Sequence, residues 1–139
     1  ESRKAAAALG ATNEWNKLEG VTNINGTVYI AISEITESMV KDWGHVNWAS
    51  GKKDLTVQGD ITLDKEACGA VYRGTMSSDY DLTRLEPAVV GKTTDGKKRC
   101  DDGGIAHPDN ILGLSNGSLL VAEDAGKSAH PVDMLWLRK

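Results

Sequence analysis

The chain has 139 residues, enough to bury the core of one domain, and its 40% hydrophobic and 26% charged content is typical of a globular protein. A net charge of −4 without a basic stripe argues against a nucleic-acid partner, and no apolar run reaches the length of a membrane-spanning helix. The chain opens on Glu1 without an initiator Met or a signal peptide, so we interpret it as a processed mature chain or a piece of a longer one.

The first third of the chain predicts one helix followed by β-structure. The alanine-rich segment Ser2–Leu9 is expected to be a short helix that Gly10 ends in the C′ position. Alternating residues in Glu14–Val21 predict a strand with Glu19-Gly20 at its end. The turn pair Asn25-Gly26 then leads into Thr27–Ser33, which is β-branched, almost entirely apolar and therefore the clearest strand in the sequence.

The middle of the chain gives weaker signals. The segment Ile35–Ser50, with Trp43 and Trp48, favours no single element. The remaining segments of this region are assigned in order: Gly51–Asp54 as a solvated loop, Asp60–Leu63 as a short strand or turn, Cys68–Arg73 as a strand, Tyr80–Leu85 as irregular, and Gly91–Gly104 as a polar, glycine-rich loop.

The last third predicts a hairpin and a further strand. Apolar runs flank Asn116-Gly117, and this pattern is the strongest short-range hairpin signal, interpreted as a type I′ turn. The strand after the turn leads directly into Glu123-Asp124, and Met134–Leu137 reads as the next strand. Two carboxylates thus emerge where a strand meets a loop, a usual location for binding groups.

A weak internal repeat predicts the fold class. The stretches EGVTNINGTVYIAISE and PDNILGLSNGSLLVAED share an acid, apolar residues, an Asn-Gly turn, an apolar strand and a second acid. Repeats of this kind are typical of β-propeller blades. We therefore expect an all-β partial propeller of two to three blades with one short N-terminal helix. No linker divides residues 1–139, which we interpret as a single domain or fragment.

Acidic residues at strand ends are candidate ligands for a hard cation such as Ca²⁺, which prefers carboxylate and amide oxygens. Equivalent corners of successive blades would bring them together, whereas the simpler interpretation of each is a solvated strand terminus. His107 and His130 follow as loop histidines that could be a ligand, a proton donor or simply exposed, the last being usual. No EF-hand, Walker, HExxH or CxxC motif is present. The strand-end residues are Glu19, Glu34, Asp109, Asn110, Glu123 and Asp124.

Five short blocks in a fixed order resemble the C-terminal half of the PhoX family of secreted alkaline phosphatases. They are SRKAAAALGATNEWNKLEGV, VYIAISEITESM, GDITLDKEACGAVY, C-DDGGIAHPDNILGL and SLLVAEDAGKSAHPVDMLW, and they cover most of the chain. The resemblance implies a β-propeller that hydrolyses phosphomonoesters with calcium and iron. It also implies that Glu19 and Glu123 are metal ligands, with Asp124, Asp109 and Asn110 behind them.

The resemblance bears on the cysteines and the compartment as well. On count alone, Cys68 and Cys100 are equally compatible with one disulfide and with two buried thiols. Because both lie in family blocks, the resemblance favours the Cys68–Cys100 disulfide and an extracytoplasmic location, secreted or periplasmic, with the thylakoid lumen as the alternative.

A second hypothesis comes from what the chain does not contain. Family enzymes are much longer, and their N-terminal half supplies further metal ligands and phosphate contacts. The competing interpretation is therefore a non-catalytic PhoX-like accessory or structural subunit that docks on a larger extracytoplasmic or thylakoid-lumenal assembly. The sequence assigns no catalytic residue.

The acidic pair after the hairpin allows one finer prediction. Adjacent side chains on a strand point to opposite faces, so only one of the two can enter a central channel. We expect that residue to be Glu123, with Asp124 orienting the Ala125-Gly126 turn through its backbone amides and Glu19 facing the same axis.

Overall fold

The computed structural model describes residues 1–12, 14–41, 43–47, 50, 52–54, 59–94 and 99–139, and it divides into two compact units. One unit comprises Glu1–Asn16 and Thr36–Lys65; the other comprises Lys17–Ile35 and Glu66–Lys139. The described residues are mostly β-structure with one short α-helix, which confirms the all-β expectation. Within them, no helix combines the length and the apolar character that crossing a membrane requires.

The N-terminal helix α1 spans Ser2–Ala8 and ends as the sequence predicts. Gly10 adopts a left-handed φ of 87°, and the N–H of Ala11 donates to the carbonyl of Ala6 at 3.0 Å. This six-residue closure is the Schellman arrangement, which satisfies a carbonyl that the helix end would otherwise leave unpaired. The prediction of Gly10 at C′ is confirmed.

The rest of the first unit contains a 3₁₀ helix, Glu37–Met39, and a small hairpin of β3 (His45–Asn47) with β4 (Lys52–Asp54). The prediction of a solvated loop over Gly51–Asp54 was wrong for Lys52–Asp54, because a short ladder needs only backbone groups and tolerates charged side chains. Residues 48 and 51 lie outside the described part of the chain. Asp60–Leu63 forms no strand, although Leu63 makes an isolated parallel bridge with Val40.

The second unit contains a four-stranded antiparallel sheet in the order β1-β2-β5-β6. Its strands are β1 (Leu18–Ile24), β2 (Thr27–Ile32), β5 (Ala70–Thr75) and β6 (Glu86–Val90). The strong apolar segments that predicted β2 and β5 fill its centre, where both strands are hydrogen-bonded on either side. Tyr80–Leu85 is irregular, as expected.

The position of β1 corrects the sequence prediction. Asn25 and Gly26 both have positive φ, 51° and 84°, which is the requirement of a type I′ turn. This turn pairs Ile24 directly with Thr27 and so fixes β1 as Leu18–Ile24. Glu19 therefore lies at the beginning of β1 and not at its end.

A three-stranded antiparallel sheet, in the order β7-β8-β9, completes the second unit. Its strands are β7 (Pro108–Gly113), β8 (Leu119–Glu123) and β9 (Leu135–Arg138), which confirms the predicted hairpin and third strand.

The hairpin between β7 and β8 is not closed by the type I′ turn that the Asn116-Gly117 pair predicts. Of that pair only Gly117 has positive φ, at 85°, and its N–H donates to the carbonyl of Leu114 at 2.9 Å. This is the geometry of a turn followed by a left-handed glycine bulge. Asn116 instead accepts the N–H of Ser118 on Oδ1.

The two sheets of the second unit pack face to face. Val71 of β5 is fully buried against Leu119 and Val121 of β8, with Ile105 beside them. The first strands of the two sheets approach closely at Gly20, where an added Cβ would lie 2.9 Å from the backbone N of Ile111. An apolar core therefore joins the sheets, and their arrangement as propeller blades stays a prediction.

A second buried cluster surrounds the disulfide between Cys68 and Cys100, whose Cα atoms are 5.9 Å apart. Cys68 precedes β5, and Cys100 lies in the predicted Gly91–Gly104 loop, of which residues 95–98 are outside the described part. Both cysteines are almost completely buried among small side chains. The disulfide that the PhoX resemblance favoured is confirmed.

Candidate functional site

Strand pairing brings the predicted acidic residues to one end of the two sheets. The start of β1 pairs with the end of β2 through Leu18 and Ile32, and the start of β7 pairs with the end of β8 through Pro108 and Glu123. The backbones of β1 and β7 approach closely at Gly20, where an added Cβ would lie 2.5 Å from the carbonyl oxygen of Asp109. The two ends are therefore adjacent. We call this region the acidic end; its carboxylates are those of Glu19, Glu34, Asp109 and Asp124.

Three carboxylates of the acidic end act on one another electrostatically. Partial desolvation raises the pKa of Asp109, and the negative charges of Glu19 and Asp124 raise it further. Glu19 and Asp124 are exposed, whereas Asp109 is half-buried. Predicted ligands from three separate strands are thus brought together. Their mutual electrostatic repulsion is unfavourable until a cation binds or one carboxylate is protonated.

The side chain of Glu19 has a defined partner at this end. Its Oε1 accepts a hydrogen bond from Oγ of Ser33 at 3.2 Å, and Ser33 itself is buried directly after β2. Asn110 is exposed in β7 next to Asp109. The two candidate ligands therefore differ, because Glu19 is positioned by the neighbouring strand while Asn110 is turned to solvent.

Glu123 lies in a different environment from the other predicted ligands, because its side chain is fully buried. Its Oε1 accepts the backbone N–H of Ala106 at 2.8 Å and the indole N–H of Trp136 at 2.6 Å. Its Oε2 accepts the N–H of Met134 at 3.1 Å and faces Nδ1 of His130 at 2.9 Å. Four donors therefore satisfy this carboxylate inside the protein, in an arrangement unlike the channel-facing ligand that the sequence predicts.

His130 is the ionic partner of Glu123. It is completely buried, although a loop histidine is usually exposed, and its Nε2 lies 3.1 Å from the carbonyl oxygen of Asp101. Both ring nitrogens face acceptors, an arrangement that only the doubly protonated imidazolium satisfies. Burial acts to lower the pKa of His130, but the hydrogen bonds to Glu123 and to Asp101 raise it overall. The sequence did not indicate this pair.

The turn after β8 is oriented by a residue other than the predicted one. The N–H of Ala125 donates to Oδ1 of Asp133 at 2.8 Å, so Asp133 takes the role expected for Asp124. The backbone N–H of Asp124 donates to the carbonyl of His107 at 3.1 Å, which leaves its carboxylate exposed at the acidic end.

His107 also lies at the acidic end and carries two unusual features. Its backbone has a positive φ of 45°, a conformation that non-glycine residues adopt rarely. Its Nε2 is buried without a hydrogen-bond partner, and its Nδ1 lies 3.9 Å from Oε1 of Glu34. The distance is too long for a direct hydrogen bond.

The fit of these residues to the expected calcium and iron can be tested directly. Across the described ranges, no group of three or more His, Cys, Asp or Glu side chains is placed so as to hold a metal ion. Glu123 has its acceptor capacity filled by protein donors, and the other candidates are exposed or half-buried. The residues of the described chain do not by themselves form a closed metal centre.

No protein-family model, curated protein or solved structure matches the chain. The PhoX resemblance therefore rests on the five sequence blocks.

Proposed function

We propose that this chain is the C-terminal part of a PhoX-like metal-dependent phosphomonoesterase, to which it contributes carboxylates at the acidic end. The supporting observation is that the close approach of β1 and β7 at Gly20 brings acidic residues of separate strands to one end. There, desolvation and then the charges of Glu19 and Asp124 raise the pKa of Asp109. Groups with perturbed pKa values concentrate at functional sites because binding and catalysis need charges held in unfavourable proximity. In the same proposal, the two sheets are successive blades of a propeller.

The chemistry of this end suits part of a calcium site. Ca²⁺ takes six to eight oxygen ligands, mostly from carboxylates, amides and carbonyls. Glu19, Asp109 and Asp124 would supply carboxylate oxygens, with the remaining ligands coming from another polypeptide segment. The metal, when bound, supplies Lewis-acid stabilisation of the phosphoryl charge.

Glu123 takes a positioning role in this proposal. Its carboxylate accepts the N–H of Ala106, three residues before Asp109, and the N–H of Met134, next to β9. These bonds hold the segment that carries His107 and Asp109 against the end of β8. Its role is therefore to fix the backbone of the acidic end, without direct contact with a metal.

Calorimetric titration of the chain with Ca²⁺ tests the proposal. We expect measurable binding that Glu19→Gln and Asp109→Asn each weaken, because each removes a carboxylate charge from the acidic end. Glu86→Gln, which removes a carboxylate from the other end of the sheet, is the matched control and should leave binding unchanged. Absence of Ca²⁺ binding by the unmutated chain would contradict this function.

A second candidate, the non-catalytic accessory subunit, is favoured by the outer face of the three-stranded sheet. Leu112, Leu120 and Leu137 are cross-strand neighbours on this face, as are Ala122 and Leu135 in the next row. Leu112, Leu135 and Leu137 are between 55% and 67% exposed. A contiguous exposed apolar face of this kind marks a protein-interaction surface.

The partner that suits this leucine face is the apolar face of another β-sheet. The opposite face of the same sheet already packs in this way against β1-β2-β5-β6, so a further sheet would continue the stacking. If the chain is an accessory subunit, Leu112→Gln with Leu137→Gln should release it from the assembly in gel filtration of the native complex. Retention of the double variant would argue against this candidate.

A further inference from the structure

A cavity of about 500 Å³ lies at the end of the four-stranded sheet remote from the acidic end. Its walls include Thr27 and Thr75, which pair across β2 and β5 next to the Asn25-Gly26 turn. Ile32, at the acidic end of β2, is five residues farther along, which corresponds to roughly 16 Å of strand. The cavity is therefore separate from the carboxylates of the proposed function.

The charges lining the cavity are two guanidinium groups and one carboxylate. Arg73 donates from Nε and Nη2 to Oε1 of Glu86 at 3.1 and 2.9 Å. Nη2 of Arg84 lies 3.8 Å from Oε2 of the same carboxylate, too long for a hydrogen bond. One carboxylate neutralises one guanidinium, so the lining has an excess of one positive charge in a chain whose net charge is −4.

Hydroxyl groups complete the lining. Thr27 and Thr75 pair across β2 and β5 in this lining, and Tyr29 pairs with Arg73 in the same ladder. Hydroxyl and guanidinium donors around one concave space are the groups that recognise oxyanions, because each presents N–H or O–H to a negatively charged oxygen.

The loop that carries Arg84 is held against the sheet. An added Cβ on Gly74 would lie 2.6 Å from Cδ1 of Leu82 and would also collide with the carbonyl oxygen of Arg84. Ser77 closes the loop by donating its N–H to Asp81 O and accepting the N–H of Asp81 on Oγ. The aspartates of this loop, Asp79 and Asp81, are exposed and do not line the cavity.

We propose that this cavity binds a phosphate group. Arg73 and Arg84 come from different segments, and the carboxylate of Glu86 is hydrogen-bonded to Arg73 but too far from Arg84 for a hydrogen bond. An anion that bonds to Arg84 and to the threonine hydroxyls at once must therefore offer oxygens in more than one direction. A tetrahedral phosphate does so, whereas a planar carboxylate presents only two oxygens to one fork. The volume exceeds that of a bare ion, which leaves room for an organic group attached to the phosphate. This inference is independent of the metal site.

The test is a titration of the ¹⁵N-labelled chain with inorganic phosphate at constant ionic strength, followed by amide chemical shifts. We expect saturable shifts confined to Thr27, Gly74, Thr75 and the Arg84 loop. Arg84→Gln should weaken binding by about tenfold or more, since it removes a charge-assisted donor set. Lys92→Gln, which removes one positive charge outside the cavity, should leave the affinity unchanged.

Three results would overturn the proposal. The first is the absence of saturable shifts in the unmutated chain. The second is an equal loss of affinity in Lys92→Gln and Arg84→Gln, which would indicate bulk charge only. The third is binding of acetate as tight as that of phosphate, which would remove the tetrahedral selectivity. Circular dichroism of Arg84→Gln tests whether its fold is retained, which the exposed position of Arg84 leads us to expect.

Discussion

Nδ1 of His130 lies 2.9 Å from Oε2 of Glu123, and both side chains are fully buried. The pair connects the end of β8 to the loop before β9, and Nε2 of His130 extends the connection to the carbonyl of Asp101. A buried ion pair is stable only where further hydrogen bonds compensate for lost hydration, and Ala106, Met134 and Trp136 provide them here.

We first predict that Glu123→Gln destabilises the protein by about 3–5 kcal/mol, the range for breaking one side of a buried pair. The carboxylate accepts from four donors, whereas an amide offers one acceptor oxygen and places its own N–H groups against the rest. The measurement is urea unfolding near pH 6. Asp124→Asn, at an exposed neighbour, should change the unfolding free energy by less than about 0.5 kcal/mol. Equal stability of the two variants would contradict the buried network.

The second prediction concerns pH. The folded-state pKa of His130 is raised, so the folded protein binds this proton more tightly than the unfolded chain does. Its contribution to stability is complete below the unfolded pKa of about 6.5 and is lost as the pH rises through the folded value. Imidazole ¹H shifts between pH 5 and 9 measure the folded pKa, and a value below 6.5 would show that the sign is wrong.

The third prediction concerns the acidic end. Glu19→Gln should lower the pKa of Asp109, because of the two neighbouring carboxylates that raise it Glu19 has the larger effect. Asp124→Asn should lower it by a smaller amount. Carboxyl ¹³C shifts during an acid titration report the Asp109 pKa directly. An unchanged pKa in both variants would mean that the three carboxylates do not interact.

The fourth prediction tests the close approach of β1 and β7. Gly20→Ala should destabilise the protein and shift the Asp109 and Asn110 amide resonances, because the new methyl group meets the β7 backbone. Backbone atoms cannot move aside as a flexible side chain can, so we expect a cost of about 1–3 kcal/mol. Gly126→Ala is the matched control, since no heavy atom lies within 4 Å of its added Cβ. A Gly20→Ala variant as stable as Gly126→Ala would exclude the close approach.

The fifth prediction concerns the disulfide. Replacing Cys68 and Cys100 by serine should lower the unfolding free energy by about 2–4 kcal/mol, because the crosslink restricts a long loop of the unfolded chain. The two sulfurs are also buried, so the serine hydroxyls would lose water on folding. Thermal unfolding of the oxidised protein, the reduced protein and the double variant measures the effect. Coincident transitions for all three would contradict it.

Features governed by adjacent residues could be predicted from the sequence. Gly10 ends α1 and Asn25-Gly26 closes a hairpin because positive φ is a local requirement. The apolar strand β8 followed by an acidic pair was also predicted, since alternation is visible in a single segment. That alternation further indicates that Glu123 shares the buried face of Leu119 and Val121, a signal that would have predicted its burial.

Features governed by distant residues could not be predicted. The donors to Glu123 come from Ala106, His130, Met134 and Trp136, and nothing in the local sequence identifies them as neighbours. The cross-strand pair of Arg73 with Glu86 likewise depends on the register between β5 and β6. The irregular loop that joins these strands gives no sequence signal for that register. The acidic end was predicted in part, because acids at the ends of paired strands lie at the same edge of a sheet. The crowding around Asp109 was not predictable, because it results from the packing of the two sheets at Gly20.

The two Asn-Gly turns also bear on the rate of asparagine deamidation. An asparagine followed by glycine deamidates when the glycine nitrogen attacks the asparagine side chain and forms a succinimide. Here the N–H of Gly26 donates to Oδ1 of Asn23 at 3.0 Å, and the N–H of Gly117 donates to the carbonyl of Leu114 at 2.9 Å. Both nucleophilic nitrogens are therefore restrained while the hairpins stay closed. Accumulation of deamidated species during storage would report how often each hairpin opens.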